Sequence, residues 1–264
     1  MRDDQNNACH GTGKVADIAN IADLSLCHDA ASSHQYSDSE IQGVYRAIRE
    51  RRDMRHFQTR PVDPQQLLRF IEAAHQAPSV GYMQPWRFIR IVNKELRQRL
   101  YEHVNEERIL TSEALGKRSD EFMQLKVEGI LSCAEVLVVG LVDKRENYIF
   151  GRRTMPEMDL ASASCAIQNF WLAARAEGVG VGWVSMFDPA QIRSLCNMPE
   201  GSQPIALLCV GHVEAFYPAP MLEMEGWDKR RLLSDIVFED SWGNGKESVN
   251  DIVGKSRLKS ELPE

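Results

Sequence analysis

The sequence VLVVGLV, residues Val136 to Val142, is an unbroken apolar run of seven residues. Such a run is too short to cross a bilayer, which needs about 20 residues. It is instead typical of a strand that is buried on both faces of a sheet. We therefore predict a central strand here and a second central strand over Trp86 to Val92. No membrane-spanning segment is predicted.

Helical patterns surround these two strands. Ser37 and Glu40 form a capping box before an amphipathic helix that leads the chain to Arg51, and Pro64 opens a second helix. The later elements are one helix and two strands, predicted over Asp159 to Ala176, Val181 to Ser185 and Pro204 to Val213. This alternation predicts one α+β or α/β domain with helices on a central sheet.

Composition sets the expected domain boundaries. Residues 1–36 are polar and show no sustained helical or strand period, so we expect a flexible N-terminal extension. After Trp242 the chain turns to Gly, Asn, Lys and Ser, so residues 244–264 are expected to form a flexible tail. The folded domain would then span residues 37–243.

The overall charge is acidic. The 264 residues include 31 Lys and Arg against 38 Asp and Glu, which gives a formal net charge of −7. This balance argues against a nucleic-acid or anionic-membrane partner, so an anionic ligand would need a local cationic site. The N-terminus lacks the apolar core of a secretory signal, so a cytoplasmic location is expected. The six cysteines show no metal-binding spacing, and we predict no metal site.

A charged segment lies between the two predicted central strands. Residues Lys94 to Gly129 have a helical pattern but leave only a thin apolar stripe. Such a segment suits a mobile cover over a site.

Three arginines fall within five residues at the end of the first predicted helix, in Arg51-Arg52-Asp53-Met54-Arg55, the arginine motif. Forked guanidinium donors suit a phosphate group. The alternative is a solvated basic cluster that favours the helix dipole. Asp53, placed between arginines, is expected to stay ionised with a depressed pKa, either as a proton handler beside a ligand or as a simple ion pair.

Two glycine-containing segments offer room for a flat ligand. The first, Ala77 to Trp86, which we call the Pro78 loop, presents Ser, Gln and Trp side chains; the alternative is a rigid turn. In the second, Gly178 to Ser185, alternate glycines leave one face of a strand bare, and something flat is expected to lie against it. The glycine spacing is not the dinucleotide-binding G-x-G-x-x-G pattern.

Taken in order, these motifs resemble the FMN-binding nitroreductase superfamily. The resemblance runs from about Tyr45 to Trp242. It rests on three blocks, Arg51-Arg52-x-x-Arg55, Pro78-Ser79-x-x-x-x-Gln84-Pro85-Trp86 and Gly178 to Trp183. Within the superfamily the chain looks like the BluB group of 5,6-dimethylbenzimidazole synthases. Asp53 and Tyr82 favour that group, because ordinary nitroreductases commonly carry Ser and Asn at these positions.

The resemblance implies a nitroreductase-like α+β fold, with a central sheet flanked by helices. It also implies a homodimer with two FMN sites at its interface, each lined by both subunits. Asp53 and Ser185 match the catalytic positions, the first as proton acceptor near the ribityl C1′ and the second in support of a later C–C cleavage. The residues implied to bind FMN are Arg51, Arg52, Arg55, Ser79, Val80, Gly81, Gln84, Ser185, Met186 and Arg230, with Arg231 as the alternative to Arg230.

The implied activity is an oxygen-dependent fragmentation of reduced FMN. Its products are 5,6-dimethylbenzimidazole, the lower ligand of vitamin B12, and erythrose 4-phosphate. FMN is then a substrate as well as a cofactor, O₂ is a co-substrate, and NAD(P)H acts indirectly through a separate flavin reductase. The charged cover between about Val104 and Gly129 is expected to act as a lid. The alternatives are an NAD(P)H-dependent nitroreductase or flavin reductase that returns its FMN intact, and a non-catalytic flavin carrier.

Overall fold

The computed structural model describes residues 34–244. The predicted N-terminal extension therefore lies outside the described residues except for 34–36, and the predicted C-terminal tail except for residue 244. The chain divides into two units, Met1–Ile41 and Gln42–Glu264. In the first unit the Ser37 N–H donates to the Glu40 carboxylate at 2.9 Å, as a capping box requires. The sheet lies in the second unit.

Helices and strands alternate along the described residues. The helices are α1 (Asp38–Glu50), α2 (Pro64–His75), α3 (Lys94–Leu115), α4 (Ser119–Gln124), α5 (Met158–Ala176), α6 (Pro189–Leu195) and α7 (Met221–Met224). The strands are β1 (Trp86–Arg90), β2 (Glu135–Leu141), β3 (Gly180–Val184) and β4 (Gln203–Gly211). All four predicted strands are present within two residues of their predicted bounds. α6 and α7 were not predicted, because helices this short show too little periodicity.

In the described part of the chain, the four strands form one antiparallel sheet in the order β1-β2-β4-β3. β2 is central, as predicted, and every residue after Glu135 in it is buried. β1 lies at an edge of this sheet, so the prediction of a central strand is wrong there. Its Arg87 and Arg90 are exposed, and charged side chains are typical of edge strands.

β2 is apolar after Glu135 because helices cover both faces of the sheet. On one face, Leu137 packs in a core with α2 and α5, where the rings of Phe70 and Phe170 meet edge to face with centroids 5.6 Å apart. On the other face, Val138 packs in a second core with Leu100 of α3 and with α6. Successive residues of a strand point to opposite faces, so both sets must be apolar.

The predicted charged cover is two helices rather than one. α3 ends at Leu115, because the following Gly116 has a φ of 56° that breaks the helix, and α4 ends at Gln124. Leu100 and Val104 of α3 are fully buried in the second core. The first half of the segment is therefore a core helix, and the prediction of a cover is wrong for that half.

Among residues 34–244, no helix is long and apolar enough to span a membrane. The same residues hold no group of three or more His, Cys, Asp or Glu side chains placed to bind a metal ion.

Candidate active site

The arginine motif follows α1 and lies against the outer edge of β3. Asp53 forms an isolated parallel bridge with Val181, and the Met54 N–H donates to the Val181 carbonyl at 3.0 Å. The indole N–H of Trp171, in α5, donates to the Arg52 carbonyl at 3.1 Å. The backbone of the motif is thus held by two elements of the core.

The glycines of β3 make room for this motif. A Cβ atom on Gly182 would lie 2.2 Å from the Met54 carbonyl oxygen and 2.5 Å from Nη1 of Arg55. A Cβ atom on Gly180 would lie 2.7 Å from the Val213 side chain. The prediction that a flat group lies on this bare face is wrong, because the chain's own backbone and side chains occupy it.

The Asp53 carboxylate accepts a hydrogen bond at each oxygen. Oδ1 accepts from the Trp183 N–H at 2.9 Å, and Oδ2 accepts from Nη2 of Arg55 at 2.6 Å. The same Nη2 donates to the Trp183 carbonyl at 2.8 Å. Arg55 is buried, whereas 44% of the Asp53 side chain is exposed. These bonds fix the carboxylate plane and leave further acceptor positions open on its exposed side.

The pKa of Asp53 is raised, and the prediction of a depressed pKa is wrong. Burial raises the pKa of this carboxyl because loss of water disfavours the charged form. The charge of Arg55, the Trp183 N–H and the charge of Arg51 lower the pKa of Asp53 but do not offset burial. A raised pKa makes the carboxylate a stronger proton acceptor.

A cavity of about 430 Å³ opens beside Asp53. The end of β3 contributes Ser185 and Met186 to its wall, and the segment after α7 contributes Arg230. Arg231, the alternative to Arg230, does not line the cavity and instead faces the Asp228 carboxylate at 3.9 Å. The structure therefore favours Arg230 of the two.

The cavity carries a local positive charge. Among its lining residues, the single carboxylate of Asp53 is accompanied by the guanidinium groups of Arg49, Arg51, Arg52, Arg55 and Arg230. The whole chain carries a formal charge of −7. This cavity is therefore the local cationic site that an anionic ligand requires.

Much of this positive charge is not compensated. Within the described residues, Arg49, Arg51 and Arg230 form no ion pair with a carboxylate at 4.0 Å or less. Burial lowers the pKa of Arg51, Asp53 raises it, and the charges of Arg52 and Arg230 lower it. The Nε atom of Arg52 is buried without a hydrogen-bond partner. Clustered guanidinium charge and an unpaired buried donor fit a phosphate group.

Another part of the cavity wall is apolar. Phe122 of α4 and Leu125 just after it face the cavity, as does Trp227. Arg118 joins these two parts: its guanidinium carbon lies 3.5 Å from the Trp227 ring centroid, and its Nη2 donates to the Trp227 carbonyl at 3.1 Å. Of the predicted lid, residues 104–129, the residues that border the cavity lie in its second half, from Phe122 onward.

The Pro78 loop lies elsewhere in the protomer. Its predicted site residues do not line the cavity; they are Ser79, Val80, Gly81 and Gln84. The Val80 N–H donates to the Ser162 hydroxyl at 3.0 Å, whereas the arginine motif is bonded to Trp171. Ser162 and Trp171 are nine residues apart in α5, a separation of about 14 Å along the helix axis. One protomer does not bring the two predicted halves of the site together.

The Pro78 loop has an uncommon backbone. Gly81, Tyr82 and Gln84 have φ values of 52°, 54° and 47°, all in the left-handed region. The Gln84 N–H donates to the Ser79 hydroxyl at 3.0 Å, which closes the loop. Positive φ at residues other than glycine is infrequent and concentrates at functional loops. This conformation supports a role in binding.

Several cavity-lining residues were not predicted as site residues, among them Arg49, Phe122 and Trp227. Arg49 lies two residues before the arginine motif, so its charge was a usable signal. Nothing in the sequence indicates that Phe122 and Trp227 line the same cavity as the arginines.

Residues 48–212 match the family model described as Nitroreductase family. The 5,6-dimethylbenzimidazole synthase of Rhodospirillum rubrum is 37% identical over 201 residues, which cover 74% of this chain and 94% of that protein. A protein of the same name from Rhodobacter capsulatus is 35% identical over 196 residues, covering 74% of this chain and 95% of that protein.

Solved structures share the fold. The BluB-like flavoprotein from Clostridium difficile 630 has a TM-score of 0.58 at 17% identity, over 75% of this chain and 99% of that chain. Oxidized iodotyrosine deiodinase bound to FMN and 3-iodo-L-tyrosine has a TM-score of 0.59 at 18% identity, over 75% of this chain and 100% of that chain. The chain therefore belongs to the nitroreductase family, in which relatives 35% and 37% identical to it are named 5,6-dimethylbenzimidazole synthase.

Proposed function

We propose that the chain is a 5,6-dimethylbenzimidazole synthase, which uses O₂ to fragment reduced FMN and releases 5,6-dimethylbenzimidazole and erythrose 4-phosphate. The names of its relatives support this activity. The observation that carries the proposal is the Asp53 carboxylate, held by two hydrogen bonds beside a cationic cavity and partly exposed. An enzyme that only shuttles hydride through FMN has no required role for such a carboxylate.

The cavity fits the phosphate end of FMN. Arg51 and Arg230 would hold the phosphate, because their guanidinium groups line the cavity and form no ion pair with a carboxylate. Arg52 would add only its buried Nε, which needs an acceptor, since its terminal nitrogens already donate to the carbonyls of Arg49, Arg51 and Pro218. When bound in its reduced form, FMN supplies the ring system to be fragmented and the electrons that O₂ consumes.

The remaining cavity residues have separate roles in this proposal. Asp53 would accept a proton near the ribityl C1′, since its carboxylate is oriented and its pKa is raised. The exposed Ser185 hydroxyl, on the same wall, would support the later C–C cleavage. The apolar wall of Phe122 and Trp227 would exclude water during the reaction with O₂. Met186 would border the flavin ring.

We further propose a homodimer in which the Pro78 loop of one protomer completes the flavin site of the other. Ser79, Val80, Gly81 and Gln84 would then border the flavin from the second subunit. The residues of α5 that contact this loop and the arginine motif, Ser162 and Trp171, lie about 14 Å apart along the helix, which supports a site shared by two copies. α1 also has no buried residue, and its Tyr45 is 64% exposed. An exposed amphipathic face of this kind suits burial against a second copy.

The proposal includes a separate NAD(P)H-dependent flavin reductase that supplies reduced FMN in the cytoplasm. Its support is the resemblance to the BluB group, which generally depends on such an enzyme. No nucleic-acid partner is included, in keeping with the net charge of −7.

Product analysis of the purified protein tests the proposed function. The protein is mixed with chemically reduced FMN, exposed to air and analysed by mass spectrometry. We expect 5,6-dimethylbenzimidazole, with loss of FMN in equal amount. If all FMN is recovered in oxidised form, the protein is a flavin reductase or carrier and the proposal fails.

A further inference from the structure

We propose, building on the function proposed above, that Arg55 is a positioning residue that orients the Asp53 carboxylate and does not bind the flavin phosphate. This role differs from the one that the resemblance implies, in which Arg55 joins Arg51 and Arg52 around the phosphate and ribityl chain of FMN.

The donors of Arg55 already face protein acceptors. Nη2 donates to Asp53 Oδ2 at 2.6 Å and to the Trp183 carbonyl at 2.8 Å, and Nη1 donates to the Met54 carbonyl at 3.4 Å. The residue is 7% exposed. If the guanidinium turned toward a phosphate, it would leave the Asp53 carboxylate and a backbone carbonyl without their donor. Arg51 and Arg230 have no such commitment to a carboxylate.

The partner groups of Arg55 are themselves fixed. Trp183 belongs to β3, the last strand on its side of the described sheet, where it pairs with Leu208 of β4. Its N–H donates to Asp53 and its carbonyl accepts from Arg55, so the two side chains satisfy the open edge of β3 as a neighbouring strand would. The orientation of Asp53 is thereby tied to the sheet.

Gly182 makes this arrangement sterically possible. Its missing side chain leaves the space that Nη1 of Arg55 and the Met54 carbonyl fill, at 2.5 and 2.2 Å from an ideal Cβ position. The glycine segment that the sequence suggested as a ligand surface therefore accommodates the Arg55 side chain. Arg55 is thus held against β3 by close packing as well as by its hydrogen bond to the Trp183 carbonyl.

Arg55 acts on Asp53 through its positive charge as well as through its hydrogen bond. Arg55 is the strongest of the groups that oppose the effect of burial on the pKa of Asp53, ahead of the Trp183 N–H and Arg51. The other charged groups that line the same cavity are Arg49, Arg52 and Arg230. Removal of Arg55 would therefore raise the pKa of Asp53 further, while the phosphate-facing arginines stay in place.

The test compares Arg55→Met, Arg55→Lys and Arg51→Met in the full chain. FMN and riboflavin affinities are measured by flavin fluorescence, and the Asp53 carboxyl is titrated by infrared difference spectroscopy in flavin-free protein against Asp53→Asn. The pH profile of product formation is recorded for each variant. Arg90→Met, which removes an arginine from a surface ion pair with Glu135, serves as the control.

For Arg55→Met we expect FMN affinity within about threefold of wild type, an unchanged preference for FMN over riboflavin, and an Asp53 titration shifted up by about one pH unit. Arg51→Met is expected to lose at least about tenfold in FMN affinity and most of that preference. Arg55→Lys keeps a charge beside Asp53, so its titration should stay near wild type.

Two results would overturn the assignment. One is a loss of FMN affinity and phosphate preference in Arg55→Met equal to that of Arg51→Met. The other is an Asp53 titration that Arg55→Met leaves unchanged. The titration and the flavin affinities do not need turnover, so they test the role of Arg55 even if wild-type protein forms no 5,6-dimethylbenzimidazole. That last result would instead reject the proposed function.

Discussion

The Trp183 N–H donates to Oδ1 of Asp53 at 2.9 Å, which ties the proposed proton acceptor to the edge of β3. The carboxylate therefore keeps its orientation without help from a ligand. Site residues held by a rigid strand are positioned more accurately than residues on a free loop.

The replacement Gly182→Ala should disrupt the site and destabilise the fold. Its Cβ would lie 2.2 Å from the Met54 carbonyl oxygen, a backbone atom that cannot move aside alone. We expect a loss of about 2 kcal/mol in the free energy of unfolding, measured by urea denaturation, together with loss of product. Gly43→Ala is the matched control, since nothing lies within 4 Å of its Cβ position. Equal stability of the two variants would contradict the close contact.

The replacement Arg230→Met should weaken FMN binding. Its guanidinium lines the cavity and lies close enough to Arg51 to affect the pKa of that group, so its loss removes charge from the proposed phosphate site. We expect about a tenfold rise in the dissociation constant, measured by fluorescence titration. Arg231→Met is the control, because Arg231 faces Asp228 outside the cavity. The assignment fails if Arg231→Met has the larger effect.

The replacement Trp227→Ala should admit water to the cavity. Trp227 is held by Arg118 at 3.5 Å and closes the apolar wall. We expect a smaller fraction of reduced FMN to become 5,6-dimethylbenzimidazole and a larger fraction to return as oxidised FMN, since water competes during the reaction with O₂. Trp242→Ala, at a residue that is 94% exposed, is the control. An unchanged product fraction would show that this wall does not protect the reaction.

The raised pKa of Asp53 predicts a direction for stability against pH. Burial raises this pKa above its usual value of 3.8, so the folded protein binds the proton more tightly than the unfolded chain does. The contribution of Asp53 to stability is therefore fully present below pH 3.8 and is lost as the pH rises through the folded pKa. Urea unfolding should show wild type losing stability relative to Asp53→Asn over that pH range. A relative gain would mean that the pKa is lowered in the folded state.

The main elements could be predicted because each one depends on local pattern. Asp63 caps α2 through the Gln65 N–H at 2.9 Å, and Pro64 occupies the first turn, as the sequence indicates. The unbroken apolar run of β2 follows directly from cores on both faces of the sheet. The edge position of β1 depends on which strands pair, and a local pattern does not contain that information.

The sequence predicted which residues form the site better than it predicted the surroundings of those residues. The arginine motif, Ser185, Met186 and Arg230 do meet at one cavity. The pKa of Asp53 was predicted in the wrong direction because its shift is dominated by burial, which arises from segments distant in the sequence. The role of Gly182 was also missed, because the sequence does not show that residues 53–55 pack on that strand.

The replacement Asp53→Asn tests the central claim most directly. The variant keeps the size of the side chain but removes its charge and its capacity to accept a proton, while the arginines proposed to hold the phosphate remain. FMN affinity and the yield of 5,6-dimethylbenzimidazole from reduced FMN in air are measured on the same preparation. We expect the variant to bind FMN with an affinity within about threefold of wild type, because the negative charge of Asp53 opposes rather than aids the binding of an anion. We expect it to form no product. Product formation by the variant at a rate near wild type would contradict the account.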